Sequence, residues 1–287
     1  MNLRLGVLIP PFLLMAGTLA AQQHCQLISV DGRAVQACVS GDGPTTVVLA
    51  AGAGQASGTW SRVVPELAGG ARVITFDRPG FGGSEAGVSP RTPTRIAREL
   101  RSVLEALGVE DPVVLVGHSM GGVHVLRYAT LFPEDVAAIA ILDSPPPGFE
   151  EERLTLLSPA EVAERGRLLE RGLTNAPEAV RLEREGARSA QEWDFSAFPS
   201  GAPLLVVAAD SQDFGDLGSA TAHRRLWMAK SRQWLHLSER AEFLVAEGSG
   251  HMVHHDRLAL VVEAVRQLLG AAGGDDSRSR SPTSDCY

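Results

Sequence analysis

No apolar run in this 287-residue chain is long enough to make a good membrane span, which takes about 20 residues. The best candidate, residues 5–14, is short and interrupted by Pro10-Pro11. Positive charge is also scarce. Against 34 Asp and Glu there are 26 Lys and Arg, a formal net charge of −8, which argues against nucleic acid as a partner. Cysteine is limited to three residues, none of them directly after the small residues near position 20, so a lipoprotein anchor is not indicated. His251, His254 and His255 form a His-x-x-His-His group, but no acid or thiol nearby completes a ligand set, and the group does not read as a metal site. Apolar residues, by contrast, are plentiful at 44%. That is enough for a sizeable core and too many for a disordered chain. The length fits one domain with an insertion, or two small ones.

The short apolar stretch at the start has a reading of its own. Arg4 precedes it, and Thr18-Leu19-Ala20 puts small residues at the −3 and −1 positions of a cut after Ala20. This is the pattern of a secretory signal over residues 1–20, which implies an exported (periplasmic or secreted) chain with no stable membrane anchor after cleavage. An uncleaved anchor is the competing reading. Cys25 and Cys38 lie equidistant from Asp31-Gly32, a strong two-residue hairpin turn. In such a hairpin they face each other on a non-hydrogen-bonded pair, the closer kind. Export would let them form a disulfide, and the alternative is two reduced, buried thiols. Cys286 falls in a polar tail, residues 271–287, that reads as disordered.

Further along, strands are expected over residues 45–51, 72–76, 113–116, 136–142, 204–209 and 243–246. Helices are expected over 60–67, 94–107, 123–131 and 257–269. Apolar strands alternating with amphipathic helices predict an α/β fold, a mostly parallel β-sheet covered by helices on both faces. Such sheets bind ligands at the carboxyl ends of their strands. Ala53, Ser119, Asp143, Asp210 and His251 all fall at or just beyond such ends. Residues 144–201 break the alternation with a helix-prone, charged segment, read as a helical lid between the two core parts, 21–143 and 202–270.

The most informative segment is Gly117-His118-Ser119-Met120-Gly121. A strand before it and a helix after it make the context in which G-x-S-x-G is a nucleophile elbow. The turn strains the serine and lifts its hydroxyl, and the glycines avoid collisions with neighbouring elements. Two further motifs follow the same order as in a known family. Residues 77–84, Asp-Arg-Pro-Gly-Phe-Gly-Gly-Ser, resemble a D-x-x-G-x-G-x-S loop, and Gly248-Ser249-Gly250-His251 resembles a late G-x-G-H segment. Together the three resemble the α/β-hydrolase fold superfamily over about residues 40–270.

That resemblance implies a serine hydrolase of small or medium esters or related acyl substrates, working through an acyl-enzyme and needing no cofactor or metal. Ser119 would be the nucleophile and His251 the general base. The oxyanion hole would use the backbone N–H groups of Met120 and Ala53, in a loop where Ala51-Gly52 stands in place of the family's frequent His-Gly. The acid is open. Gln212 occupies the spot where the family most often has it, with Asp210 and Asp213 beside it. The other family location is the end of the strand before the insertion, where Asp143 stands. A carboxylate there needs a partner, and a histidine ring N–H would serve, so Asp143 is preferred over Asp213 and Asp210. Serine at the elbow disfavours the epoxide-hydrolase and dehalogenase chemistries that use aspartate there. A non-catalytic small-ligand-binding protein on the same fold is the alternative from another class.

Overall fold

The computed structural model describes residues 23–212, 215 and 217–272. The signal-like segment, Asp213 and nearly all of the polar tail lie outside them. Eight strands form one sheet: β1 (His24–Val30), β2 (Arg33–Ser40), β3 (Thr46–Ala50), β4 (Arg72–Phe76), β5 (Val113–His118), β6 (Val136–Leu142), β7 (Leu204–Ala209) and β8 (Ala241–Ala246). Their spatial order is β1-β2-β4-β3-β5-β6-β7-β8. β1, β2 and β4 pair antiparallel, and every other neighbouring pair is parallel.

The helices are α1 (Val64–Ala68), α2 (Pro93–Ala106), α3 (Met120–Leu131), α4 (Phe149–Leu154), α5 (Pro159–Asn175), α6 (Glu178–Gly186), α7 (Ala220–Ser231), α8 (Val253–Asp256) and α9 (Leu258–Ala272). The central strands are apolar at every position because both faces are covered. Val48, Ala50, Leu115, Ile139 and Ile141 pack with α2 and α3 on one side. Val47, Leu49, Val114, Val116, Ala140 and Leu142 pack with α1 and α9 on the other. The chain therefore leaves β3 and β5, which are adjacent, toward opposite faces of the sheet. This is a switch point, and it opens a crevice at their carboxyl ends.

The first hairpin turns at Asp31 and Gly32, both with positive φ (51° and 74°), as a two-residue primed turn requires. Cys25 faces Cys38 across it. The two are joined in a disulfide, with Cα atoms 3.9 Å apart. Some expected boundaries move. The helix expected over 60–67 is a 3-10 turn, Ser57–Trp60, followed by the short α1, whose start carries Pro65. Residues 271 and 272, expected in the tail, belong to α9. Residues 144–201 do form helices, α4 to α6, between β6 and β7. Among the described residues no helix is long and apolar enough to cross a membrane.

Candidate active site

The elbow has the backbone its sequence calls for. Ser119 sits between β5 and α3 with φ 52° and ψ −126°, a left-sided conformation that costs a non-glycine residue of order 1–3 kcal/mol and persists only where surroundings over-determine it. They do so here. Ser119 N–H donates to Leu142 O at 2.9 Å, and Ser119 O accepts from Gly122 N–H at 2.9 Å. A Cβ on Gly117 would strike the backbone of Gly121, one on Gly121 would strike the Ala50 carbonyl, and one on Gly122 would strike Ser144. The glycine pattern thus lets α3 start immediately against β3 and β6.

Three side chains from three strand ends converge. His251 Nε2 lies 3.1 Å from Ser119 Oγ, and His251 Nδ1 lies 2.6 Å from Asp143 Oδ2. The carboxylate acceptor puts the ring proton on Nδ1, which leaves Nε2 free to accept from the serine hydroxyl. The Asp143 side chain is fully buried while that of His251 is 42% exposed. Asp143 also has positive φ, 48°. Its Oδ1 accepts from Ala209 N–H and from Trp227 Nε1–H, each at 2.9 Å, and its Oδ2 accepts from Gln212 Nε2–H as well as from His251. Four donors thus satisfy a carboxylate that would otherwise be costly to bury.

Of the two alternatives for the acid, Asp213 lies outside the described residues and Asp210 has other partners. Asp210 accepts from Gly248 N–H at 3.2 Å and pairs with Arg224. The Gly248 hydrogen bond, with Arg224 second, lowers its pKa. Its contacts brace the loop that carries His251 rather than reaching the ring. Gln212, at the family's usual acid position, serves as a donor to Asp143.

On the oxyanion side, Met120 is the first residue of α3. In the loop after β3, Gly52 N–H is already given to Gln55 Oε1 at 3.2 Å, which leaves the exposed Ala53 as that loop's candidate donor. Asp77, the first residue of the D-x-x-G-x-G-x-S loop, accepts from Ser57 N–H (2.7 Å), Gly83 N–H (2.8 Å) and Gln36 Nε2–H (3.2 Å). That motif is therefore a structural hub beside the site.

The other histidines near the site have contacts of their own. The His118 ring is buried, and its Nε2–H donates to the His251 carbonyl at 2.8 Å. Burial, with His251 second, pushes its pKa down to about 4. His254 stacks on Trp60 at 4.4 Å and meets Thr59 Oγ1 at 3.0 Å, and burial lowers its pKa to about 2. His255 Nε2–H donates to Thr59 O at 2.9 Å. His254 and His255 therefore face Thr59 while His251 faces Ser119, so the His-x-x-His-His group does not converge. Among the described residues no cluster of three or more His, Cys, Asp or Glu is arranged to hold a metal. His124 is buried in α3, its pKa held well below the ordinary value by burial and then by Arg78 and Arg91. Arg78, in the loop after β4, donates to the carbonyls of Ala51 (2.7 Å) and Gly52 (2.9 Å) and to Glu183 of α6.

Comparison with known proteins agrees with this architecture. A family description, alpha/beta hydrolase fold, matches residues 45–165. Uncharacterized protein YqjL of Bacillus subtilis is 27% identical over 233 residues, 81% of this chain and 86% of that protein. The putative carbamate hydrolase RutD of Azorhizobium caulinodans is 37% identical over 99 residues, 34% of this chain and 37% of its own length. A 2-hydroxy-6-oxononadienedioate/2-hydroxy-6-oxononatrienedioate hydrolase of Klebsiella pneumoniae is 36% identical over 107 residues, 36% of this chain and 37% of its own. The chain thus spans little more than a third of these two named hydrolases. Among solved structures, Cfl2 from Burkholderia cenocepacia superposes with a TM-score of 0.62 at 22% identity, covering 88% of this chain and 97% of that one. A thermophilic esterase from Thermogutta terrifontis does so at 0.57 and 20% identity, covering 88% and 99%. The sheet order and these matches together show that the chain has the α/β-hydrolase fold.

Proposed function

We propose that this protein is an exported serine hydrolase that cleaves a small or medium carboxylic ester or related acyl compound. Ser119 is the nucleophile, His251 the general base and Asp143 the acid, with Ala53 and Met120 donating backbone N–H groups to the oxyanion. The observation that carries the reading is the unbroken hydrogen-bond relay from Ser119 Oγ through His251 to Asp143. A hydroxyl is a poor nucleophile near neutral pH unless such a base accepts its proton.

In the proposed reaction, the Oγ proton passes to His251 Nε2 as Oγ bonds to the carbonyl carbon. The carbonyl oxygen becomes an oxyanion facing the two N–H donors. As the intermediate collapses, the leaving alcohol takes the proton from Nε2, and Ser119 is left acylated. A water, deprotonated in turn by Nε2, attacks the acyl carbon, and the acid departs as Oγ recovers its proton. Asp143 remains ionised throughout and stabilises the imidazolium.

Export is supported by the N-terminal pattern of residues 1–20 and by the Cys25–Cys38 disulfide, a bond that persists in oxidising compartments. N-terminal sequencing of secreted or periplasmic protein tests it, with Ala21 expected first. The insertion, α4 to α6, lies between β6 and β7 on the carboxyl side of the sheet, and is proposed as the lid. The catalytic reading is tested with p-nitrophenyl esters of graded chain length under pre-steady-state conditions. A burst of p-nitrophenol stoichiometric with enzyme is expected, and the absence of turnover on every ester would favour a ligand-binding role instead.

A further inference from the structure

Arg78 and Glu183 form a buried pair that joins the insertion to the oxyanion loop. The side chains are 1% and 5% exposed, and the hydrogen bonds of Arg78 run in two directions. Toward the core, Nη1–H donates to Ala51 O at 2.7 Å and Nη2–H donates to Gly52 O at 2.9 Å. Toward the insertion, Nε–H donates to Glu183 Oε1 at 2.9 Å and Nη2–H to Oε2 at 3.2 Å. The nearby Arg91 is matched by Glu99 at 2.5 Å and lies 4.0 Å from Glu183. Glu183 is therefore the carboxylate that compensates Arg78.

The two carbonyls matter because of what shares their peptide planes. In a trans peptide the C=O and the following N–H point in opposite directions. An arginine holding Gly52 O on one side therefore turns Ala53 N–H to the other, the exposed side of the loop. Gly52 itself lies against the nucleophile: a Cβ there would be 3.1 Å from Ser119 Cβ. The α6 helix covers the same loop. A Cβ on Gly54 would be 3.6 Å from Val180, and in the adjoining loop after β4, which carries Arg78, one on Gly80 would strike Ala179.

We propose that Arg78 is a positioning residue that orients the Ala53 N–H, and that Glu183 makes this orientation depend on docking of α6. The proposal rests on the serine-hydrolase reading above. Without the insertion seated, Arg78 would be a buried cation with no counter-charge and would leave its place beneath the loop. The oxyanion donor is complete only when α6 is down.

The test uses three variants, p-nitrophenyl acetate, and a trifluoromethyl ketone that forms a tetrahedral adduct with an active serine. Arg78→Lys keeps the charge and loses the fork, so it cannot hold both carbonyls and the carboxylate. It is expected to lower kcat by about 10²-fold, the scale of one oxyanion donor, with KM little changed and ketone affinity falling in parallel. Glu183→Gln is expected to move kcat the same way by less. Arg78→Met/Glu183→Met removes both charges together, which is commonly neutral for stability. It is expected to melt near the wild-type temperature and still show the kcat loss, which a purely structural role would not produce. A folded double variant or Arg78→Lys variant with wild-type kcat and ketone affinity overturns the coupling alone. A wild-type protein that neither turns over the ester nor binds the ketone overturns the hydrolase reading and the coupling with it.

Discussion

Replacing Asp143 by asparagine is the substitution whose consequence can be worked out most fully. The carboxylate faces four donors: Ala209 N–H and Trp227 Nε1–H at Oδ1, His251 Nδ1–H and Gln212 Nε2–H at Oδ2. Asparagine offers one oxygen and one NH₂. The Ala209 N–H belongs to a strand and cannot turn away, so the amide oxygen takes the Oδ1 position and the NH₂ takes Oδ2. There it meets His251 Nδ1, and two donors cannot face each other. The imidazole resolves this by moving its proton to Nε2, while Gln212 can rotate its amide. With Nε2 protonated the ring no longer accepts from Ser119 Oγ, and the base is lost. The expected fall in kcat is about 10⁴-fold, the scale seen when a triad acid becomes an amide. That is about 5.5 kcal/mol of barrier. The assay is kcat on p-nitrophenyl acetate beside a melting curve. Asp210→Asn is the control and should stay within about tenfold of wild type, since its carboxylate serves Gly248 and Arg224. A folded Asp143→Asn protein within tenfold of wild type, or a collapse in Asp210→Asn or Asp213→Asn instead, would refute the assignment.

Stability should fall on mild acidification. His118, His124 and His254 are held neutral, their pKa values depressed below 6.5, with His118 at about 4 and His254 at about 2. A histidine protonated only after unfolding destabilises the fold as pH drops below 6.5. The contribution is therefore fully present above 6.5 and decreases toward 4, with a limiting slope of about 4 kcal/mol per pH unit for three protons. Urea unfolding at pH 7, 6 and 5 checks this, and a flat midpoint would contradict it. Reducing the Cys25–Cys38 bond, which closes a loop of 13 residues' separation, should lower stability by about 3 kcal/mol. It should leave kcat unchanged, because β1 is the edge strand and β5 is the fifth in the sheet. Melting and kinetics with and without reductant measure both effects.

What could be read from the sequence was local. Continuous apolar strands announce a sheet covered on both faces, and Gly-His-Ser-Met-Gly between a strand and a helix announces the elbow. The helix there starts at Met120 rather than Val123. Gly121 and Gly122 are weak helix formers, but close approach to Ala50 and Ser144 requires them. Asp143 could only be ranked first, because its pairing with His251 is set by the tertiary fold over 108 residues. Gln212 gave a hint by being unable to act as the acid, though its role as donor to Asp143 was not visible. The part of Arg78 was hidden for a similar reason: its motif reads as a loop, and Glu183 lies 105 residues away. No helix is expected from the sequence over 220–231, yet α7 delivers Trp227 to the carboxylate. The insertion's helices were foreseeable from composition. That α5 buries none of its residues, leaving Leu168 45% exposed, was not.

The central claim is that Ser119 is an activated nucleophile. Treating the folded protein with a fluorophosphonate and locating the adduct by peptide mass tests it directly. The account predicts one adduct, on Ser119, that disappears in His251→Ala. A folded wild-type protein that takes up no label, or carries it on another residue, would contradict it.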